Sequence, residues 1–226
     1  MGATVISTLW LAAAVAALAY WAGFAAKEAP GQAGAAVKTA STGLLALILW
    51  ACGPWPVALG LTLGAAGDWF LAQRGERAFL AGMAAFAAGH LAYVFGFLTR
   101  AAEIGFAGAD PVRLVLAALL LGLVASTEIW LAPRTGVLRW PVRLYVLVIG
   151  AMGLSLLALP HGGGSGPLWL GGALFILSDL LLALRLFVVQ ARRWQVGLSL
   201  LLWPAYWIGQ ALIARGALLF WAGPAG

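Results

Sequence analysis

Residues 5–25 read VISTLWLAAAVAALAYWAGFA, 21 consecutive positions without one charged side chain. A membrane-spanning helix needs about 20 mainly apolar residues, so this stretch decides the solvent of the fold. No positive charge precedes it, and its apolar run is longer than the core of a signal peptide. It is expected to be a retained helix. Outward from it, seven more apolar runs bounded by charge, Pro or Gly follow at about residues 38–52, 55–72, 78–99, 112–132, 138–158, 168–190 and 196–220. The expected fold is all-α, a polytopic bundle of about eight transmembrane helices in one membrane domain over residues 1–226. The second span is the weakest, because Lys38, Thr39, Ser41 and Thr42 make its opening turn polar. A polar start at membrane depth must be covered by other helices or line a cavity.

Composition agrees. Of 226 residues, 64% are hydrophobic and only 9% charged, against about a quarter charged in soluble domains, and the mean hydropathy is +1.00. The net charge of +6 has no polar face to form a nucleic-acid patch, so no nucleic-acid partner is expected and the bilayer is. The single Cys52 excludes an internal disulfide and a Cys-based metal cage.

The basic residues orient the bundle. Lys27, Lys38, Arg74, Arg77, Arg134, Arg139, Arg143, Arg185, Arg192 and Arg193 lie in or beside loops 1–2, 3–4, 5–6 and 7–8, while only Arg100, Arg113 and Arg215 fall on the other side. The positive-inside rule then places those four loops in the cytoplasm and both termini outside, with a bacterial inner membrane as the expected location. Many of the 12 Trp lie near predicted helix ends, as an interfacial belt does.

Two carboxylates have no topological reason to be where they are. Asp68 lies in residues 63–72, LGAAGDWFLA, and Asp179 in residues 174–183, LFILSDLLLA. An ionisable group near the centre of a spanning helix costs about 2.5–3.5 kcal/mol on insertion scales, so it points to function. The two stretches share Leu-x-x-x-small-Asp-x-x-Leu-Ala at an offset of 111 residues. That offset covers four helices and suggests a parallel four-plus-four internal repeat. The small neighbours Gly64, Gly67 and Ser178 allow close helix approach, which would bring the two acids toward one site. His90 and Tyr93 share one face of the fourth span, and Tyr206 and Gln210 one face of the eighth. Arg185, six residues beyond Asp179, is too far along the helix to pair with it. Glu128, Arg139, Arg143, Arg192 and Arg193 are expected to be interfacial and solvated. These residues outline a water-containing intramembrane pocket open toward the cytoplasmic side. Three readings fit it: an acid/base hydrolase, a membrane transporter or proton-coupled carrier, and an aspartate or metal-assisted hydrolase of another lysolipid, with Asp68, His90 and Asp179 as ligands.

Lys38 opening the second span, Gly67-Asp68-x-x-Leu71, Gly82-x-x-x-Phe86-x-x-x-His90-x-x-Tyr93, Ser178-Asp179-x-x-Leu182-Ala183 and Tyr206-x-x-x-Gln210 together resemble the YhhN family of lysoplasmalogenases. The likeness runs from Lys38 to Gln210; the family's proline soon after the lysine is replaced by Thr39, Ala40 and Ser41. The resemblance implies a membrane hydrolase that cleaves the vinyl ether of lysoplasmalogen to a fatty aldehyde and glycerophosphoethanolamine or glycerophosphocholine, with no cofactor and no metal. A vinyl ether hydrolyses through protonation of its outer alkene carbon and capture of the oxocarbenium ion by water. Asp68 and Asp179 are then expected to form the acid/base pair. His90, Tyr93, Tyr206 and Gln210 would orient water and the glycerol hydroxyls, and Lys38 would meet the phosphate at the cytoplasmic rim.

Overall fold

A computed structural model describes residues 2–27 and 30–223. Among the described residues the chain forms eight α-helices: α1 (Ala3–Gly23), α2 (Gly31–Cys52), α3 (Trp55–Leu71), α4 (Glu76–Ile104), α5 (Pro111–Trp130), α6 (Arg139–Leu157), α7 (Ser165–Ala183) and α8 (Arg192–Ala222). Seven helical segments are long and apolar enough to cross a membrane, and the helical membrane bundle expected from the sequence is the fold.

The exception among the eight corrects one expectation. The second helix is not the weak one: it begins seven residues before Lys38, at Gly31, and residues 31–37, GQAGAAV, are helical as well. The short helix is α3, whose 17 residues extend only about 25 Å at 1.5 Å per residue, less than the hydrocarbon thickness of about 30 Å. It lies between α2 and α4, and most of its residues from Pro56 to Asp68 are buried. The helix that carries the first buried acid is therefore shielded from lipid by its neighbours. Other boundaries also move outward: α4 runs from Glu76 to Ile104, and α8 starts at Arg192.

Close helix contacts rest on glycine. Gly171 and Gly209 face each other across α7 and α8, where an added Cβ would come within 2.7 Å of the Gly209 carbonyl or 2.9 Å of the Gly171 carbonyl. At the start of α7, Gly164 combines a φ of +90° with a position where a Cβ would be 2.4 Å from the Gly216 carbonyl. Only glycine meets both conditions. On α3, Gly60 receives the ring of Tyr93 and Gly67 the ring of Phe86, so α4 packs its aromatic side chains into a groove of small residues.

Pro204 lies inside α8 and has no N–H to offer the carbonyl four residues earlier. Trp21 uses that freed acceptor: its Nε1 donates to the Leu200 carbonyl at 3.0 Å. Trp203 returns the link by donating to the Ala17 carbonyl at 3.0 Å, which ties α1 to α8. At the opposite end of the bundle, Arg100 donates to the Phe220 carbonyl at 3.4 Å. Arg113 donates to the carbonyls of Leu157 and Leu159. These arginines satisfy carbonyls at the C-terminal ends of α8 and α6, where positive charge is favourable.

The two halves of the bundle meet through corresponding helices. α2 packs on α8, and α6 packs on α4. Each contact joins the second helix of one half to the fourth helix of the other.

Candidate active site

Asp68, near the end of α3, is fully buried, and each of its carboxylate oxygens has a polar neighbour. Lys38 of α2 places its ammonium 2.9 Å from Asp68 Oδ1. Thr42, one turn along the same helix, donates to Oδ2 at 3.0 Å, and Tyr206 of α8 donates to the same oxygen at 2.9 Å. An ammonium and two hydroxyl donors make this the setting of an ionised carboxylate. The rings of Tyr20, Trp203 and Tyr206 surround the Lys38 ammonium, with centroids 6.0, 5.6 and 6.0 Å away, close enough for cation–π attraction. One turn beyond Tyr206, Gln210 accepts a 2.7 Å hydrogen bond from Tyr93 through Oε1.

Asp179, in α7, has different company. Its Oδ2 is 3.2 Å from His90 Nε2 of α4, and its Oδ1 accepts a long 3.4 Å bond from the Tyr145 hydroxyl of α6. His90 Nδ1 lies 2.7 Å from the Phe86 carbonyl. A carbonyl oxygen only accepts, so Nδ1 carries a hydrogen and the second ring nitrogen is the one that faces the acid. The Nε2 to Oδ2 contact is attractive only with a proton between the two atoms. At 3.2 Å the two atoms are close enough to pass a proton, and among the described residues neither has a hydrogen-bond partner.

The two aspartates do not form a carboxylate pair. Each has its own partners, and the ring of Phe175 stands between the two groups, stacked on His90 at 4.5 Å and edge-on to Tyr206 at 5.6 Å. The small residues beside the acids do allow close approach, but Gly67 admits Phe86 and Gly64 faces Gln210 and Tyr206. Asp68, His90 and Asp179 do not converge as ligands, and among the described residues no group of three or more His, Cys, Asp or Glu side chains is placed to hold a metal ion.

In both halves the acid lies on the third helix. One partner comes from the second helix of the same half, Lys38 and Thr42 for Asp68 or Tyr145 for Asp179. The other comes from the fourth helix of the opposite half, Tyr206 or His90. The contacts are thus placed alike in the two halves, while the partner residues differ.

Two cavities adjoin these groups. One is a slot between α4, α5, α6 and α7 with about 820 Å³ of empty space, its mouth included. Its walls are apolar apart from Thr127, Tyr145 and Asp179, so the Asp179 carboxyl is an isolated acid in a hydrocarbon-like space. The other, about 740 Å³ with its mouth, is lined by Lys27, Lys38, Arg185 and Ser199 together with Tyr20 and Trp203. Leu71, Phe79, Leu182 and Leu186 line both cavities, so the two spaces adjoin along these side chains.

Thr42, Tyr145 and Arg185 were not among the expected site residues. Thr42 is one turn from Lys38 on the same helix face, a spacing readable in the sequence. Tyr145 had a subtler signal: the chain has only 4 Tyr, and all of them, Tyr20, Tyr93, Tyr145 and Tyr206, reach the polar interior. Arg185 makes no ion pair with Asp179, as expected from its position, but it lines the basic cavity beside Lys38. Of the charges expected at the interface, Glu128 and Arg143 form an exposed ion pair at 2.5 Å.

The family model of the YhhN family matches residues 33–217, a range that includes both groups. Among curated proteins, lysoplasmalogenase TMEM86A of Bos taurus is 30% identical over 167 residues, which cover 71% of this chain and 64% of that protein. Lysoplasmalogenase TMEM86A of Homo sapiens is 28% identical over 167 residues with the same coverage. The chain thus aligns with somewhat less than two thirds of the length of these relatives. No solved structure matches it significantly.

Proposed function

The chain belongs to the YhhN family, and from that premise we propose that it is a membrane hydrolase of the lysoplasmalogenase type, cleaving the vinyl ether of a lysoplasmalogen in the apolar slot. The observation that carries this reading is the 3.2 Å contact of Asp179 with His90, across which this scheme places one shared proton, at a slot apolar apart from Thr127, Tyr145 and Asp179 itself.

The alkenyl chain lies in the slot with its vinyl ether at Asp179. Asp179 delivers the shared proton to the outer alkene carbon, forming a C–H bond while the alkene π electrons are drawn into it. The adjacent carbon becomes an oxocarbenium ion, faced by the carboxylate left behind and stabilised by it. The Tyr145 hydroxyl donates to that carboxylate. Water adds to the oxocarbenium carbon and gives a proton back to the Asp179–His90 pair, which restores the starting state. The resulting hemiacetal breaks its bond to the glycerol oxygen as its own hydroxyl proton moves to that oxygen, releasing a fatty aldehyde and the glycerophospho-base. Water is the only co-reactant.

Asp68 has a different task in this scheme. With Lys38 on one oxygen and Thr42 and Tyr206 on the other, it positions Tyr206 and fixes the charge of Lys38 next to the basic cavity, through which the polar head enters. Tyr93 and Gln210 order the helix contact behind Tyr206. The excess of Lys and Arg on loops 1–2, 3–4, 5–6 and 7–8 supports a cytoplasmic position for that entrance, in a bacterial inner membrane.

The test is direct. Purified protein and lysoplasmalogen, with aldehyde followed by coupled NADH-dependent reduction, should show turnover that Asp179→Asn removes. Equal turnover by wild type and Asp179→Asn refutes the assignment.

A further inference from the structure

Among the described residues, the lining of the basic cavity contains three cations and no acid. One of them, Lys38, is already neutralised by Asp68 at 2.9 Å and enclosed by three aromatic rings. Lys27 and Arg185 remain. Arg185 has the more specific setting. It belongs to a π-helical turn, Leu184–Val188, that follows α7, closed by the Val189 N–H donating to the Leu184 carbonyl at 2.8 Å. Gln195 at the start of α8 then donates to the Val189 carbonyl at 2.8 Å and locks the turn. Single π turns are uncommon and recur at functional sites, because they displace side chains from the α-helical register.

Here the displaced residue lines the same cavity as Lys38. Its Nε is buried and, among the described residues, has no hydrogen-bond partner. A guanidinium that shares a cavity with like charge and has an open donor is an incomplete pair, and its flat fork of donors matches the oxygens of a phosphate. The remaining geometry selects an amphiphile. Leu182 and Leu186, on either side of Arg185 in the chain, belong to the lining shared with the apolar slot.

We propose that Arg185, assisted by Lys27, is the seat for the phosphate diester of a lysophospholipid whose chain occupies the apolar slot, while Lys38 serves chiefly as the internal counter-ion of Asp68. This rests on the hydrolase reading for the class of lipid. A head in the basic cavity and a chain in the slot bring the glycerol ether bond to the shared Leu71–Phe79–Leu182–Leu186 boundary, and Asp179, three residues before Leu182, lines the slot.

The experiment uses the full chain in detergent and two saturated ligands of equal chain length. The first is a 1-O-alkyl glycerophosphoethanolamine, which has no alkene to protonate; the second is the phosphate-free 1-O-alkylglycerol. Loss of a charge-assisted hydrogen bond to phosphate predicts that Arg185→Gln weakens binding of the phospholipid about tenfold or more. Binding of the alkylglycerol stays within about twofold by the same reasoning, because it makes no such bond, and its retention also shows that the variant is folded. Arg185→Lys recovers part of the loss. Undiminished phospholipid binding by Arg185→Gln overturns the proposal, as does an equal loss for both ligands. Inorganic phosphate serves as a third ligand, and phosphate binding as tight as the phospholipid overturns the lipid assignment. Aldehyde release from lysoplasmalogen, measured on the same preparations, separates the two readings. The expected binding pattern without aldehyde release refutes the hydrolase and leaves the seat; aldehyde release unchanged in Arg185→Gln with unchanged binding does the reverse.

Discussion

His90 Nε2 and Asp179 Oδ2 face each other at 3.2 Å, and the other ring nitrogen is committed to the Phe86 carbonyl. An amide at position 179 keeps the size of the side chain but cannot protonate carbon. Asp179→Asn should lower aldehyde release by roughly 10²–10⁴-fold, the usual range for a general acid, with little change in melting temperature. His90→Phe preserves stacking on Phe175 but removes the proton partner, and should also lower the maximal rate while leaving KM for lysoplasmalogen nearly unchanged. A rise in KM alone would mean that the pair binds substrate rather than transferring a proton.

The ion pair between Lys38 and Asp68 predicts a different kind of defect. Removing one member of a buried pair strands the other, which costs about 3–5 kcal/mol, whereas replacing both with apolar groups is often neutral. Asp68→Asn should therefore melt at a clearly lower temperature in detergent, and Lys38→Met combined with Asp68→Leu should regain most of the loss. If Asp68→Asn melts like wild type but is inactive, Asp68 takes part in the chemistry directly.

The apolar slot predicts a chain-length effect. Leu123 is one of its wall residues, and Leu123→Trp would displace the distal part of a long chain. Excluding three methylenes at about 0.8 kcal/mol each corresponds to roughly fiftyfold weaker binding of long-chain substrate. Short-chain lysoplasmalogens should be hydrolysed as before. An equal loss for all lengths would place the chain elsewhere.

Outside the membrane-spanning helices, Asp110 caps the start of α5. Its carboxylate accepts from the Arg113 backbone N–H at 3.0 Å and from the Arg113 guanidinium at 2.7 Å. The backbone bond is the main cause that holds this carboxyl below the ordinary carboxylate range, and the guanidinium adds to it. A carboxyl whose folded value is depressed contributes stability above its unfolded value of about 3.9. That contribution is lost as pH falls through the lower folded value. Asp110→Ala should melt below wild type at neutral pH, and the difference should shrink as the solution is acidified through that range. A difference that does not change with pH would assign the defect to lost packing.

The bundle was legible in the sequence because hydropathy is a property of composition and needs no partner. Eight apolar runs became eight helices, and the polar turn around Lys38, set apart by its poor fit to lipid, lies inside the bundle against Asp68. What hydropathy does not convey is which helix a neighbour will shield. For that reason α3, apolar but for Thr62 and Asp68, reads as an ordinary span although it is the short internal one. The individual site residues were visible as polar side chains in apolar helices, but their grouping was not. The matching motifs around Asp68 and Asp179 suggest that the acids meet, yet Phe175 separates them and each acid takes a basic partner from another helix. Tyr145 was hidden by its likeness to the interfacial aromatic residues. Arg185 was hidden because α-helical arithmetic holds only up to Leu184, where the π turn begins.

Deuterium labelling tests carbon protonation by the Asp179–His90 pair most directly. Lysoplasmalogen turned over by the purified protein in D2O, with the aldehyde reduced as it forms to prevent exchange, should yield an alcohol with one deuterium on the carbon that was α to the aldehyde. An alcohol with no deuterium at that carbon would contradict protonation of the alkene and, with it, the role assigned to Asp179.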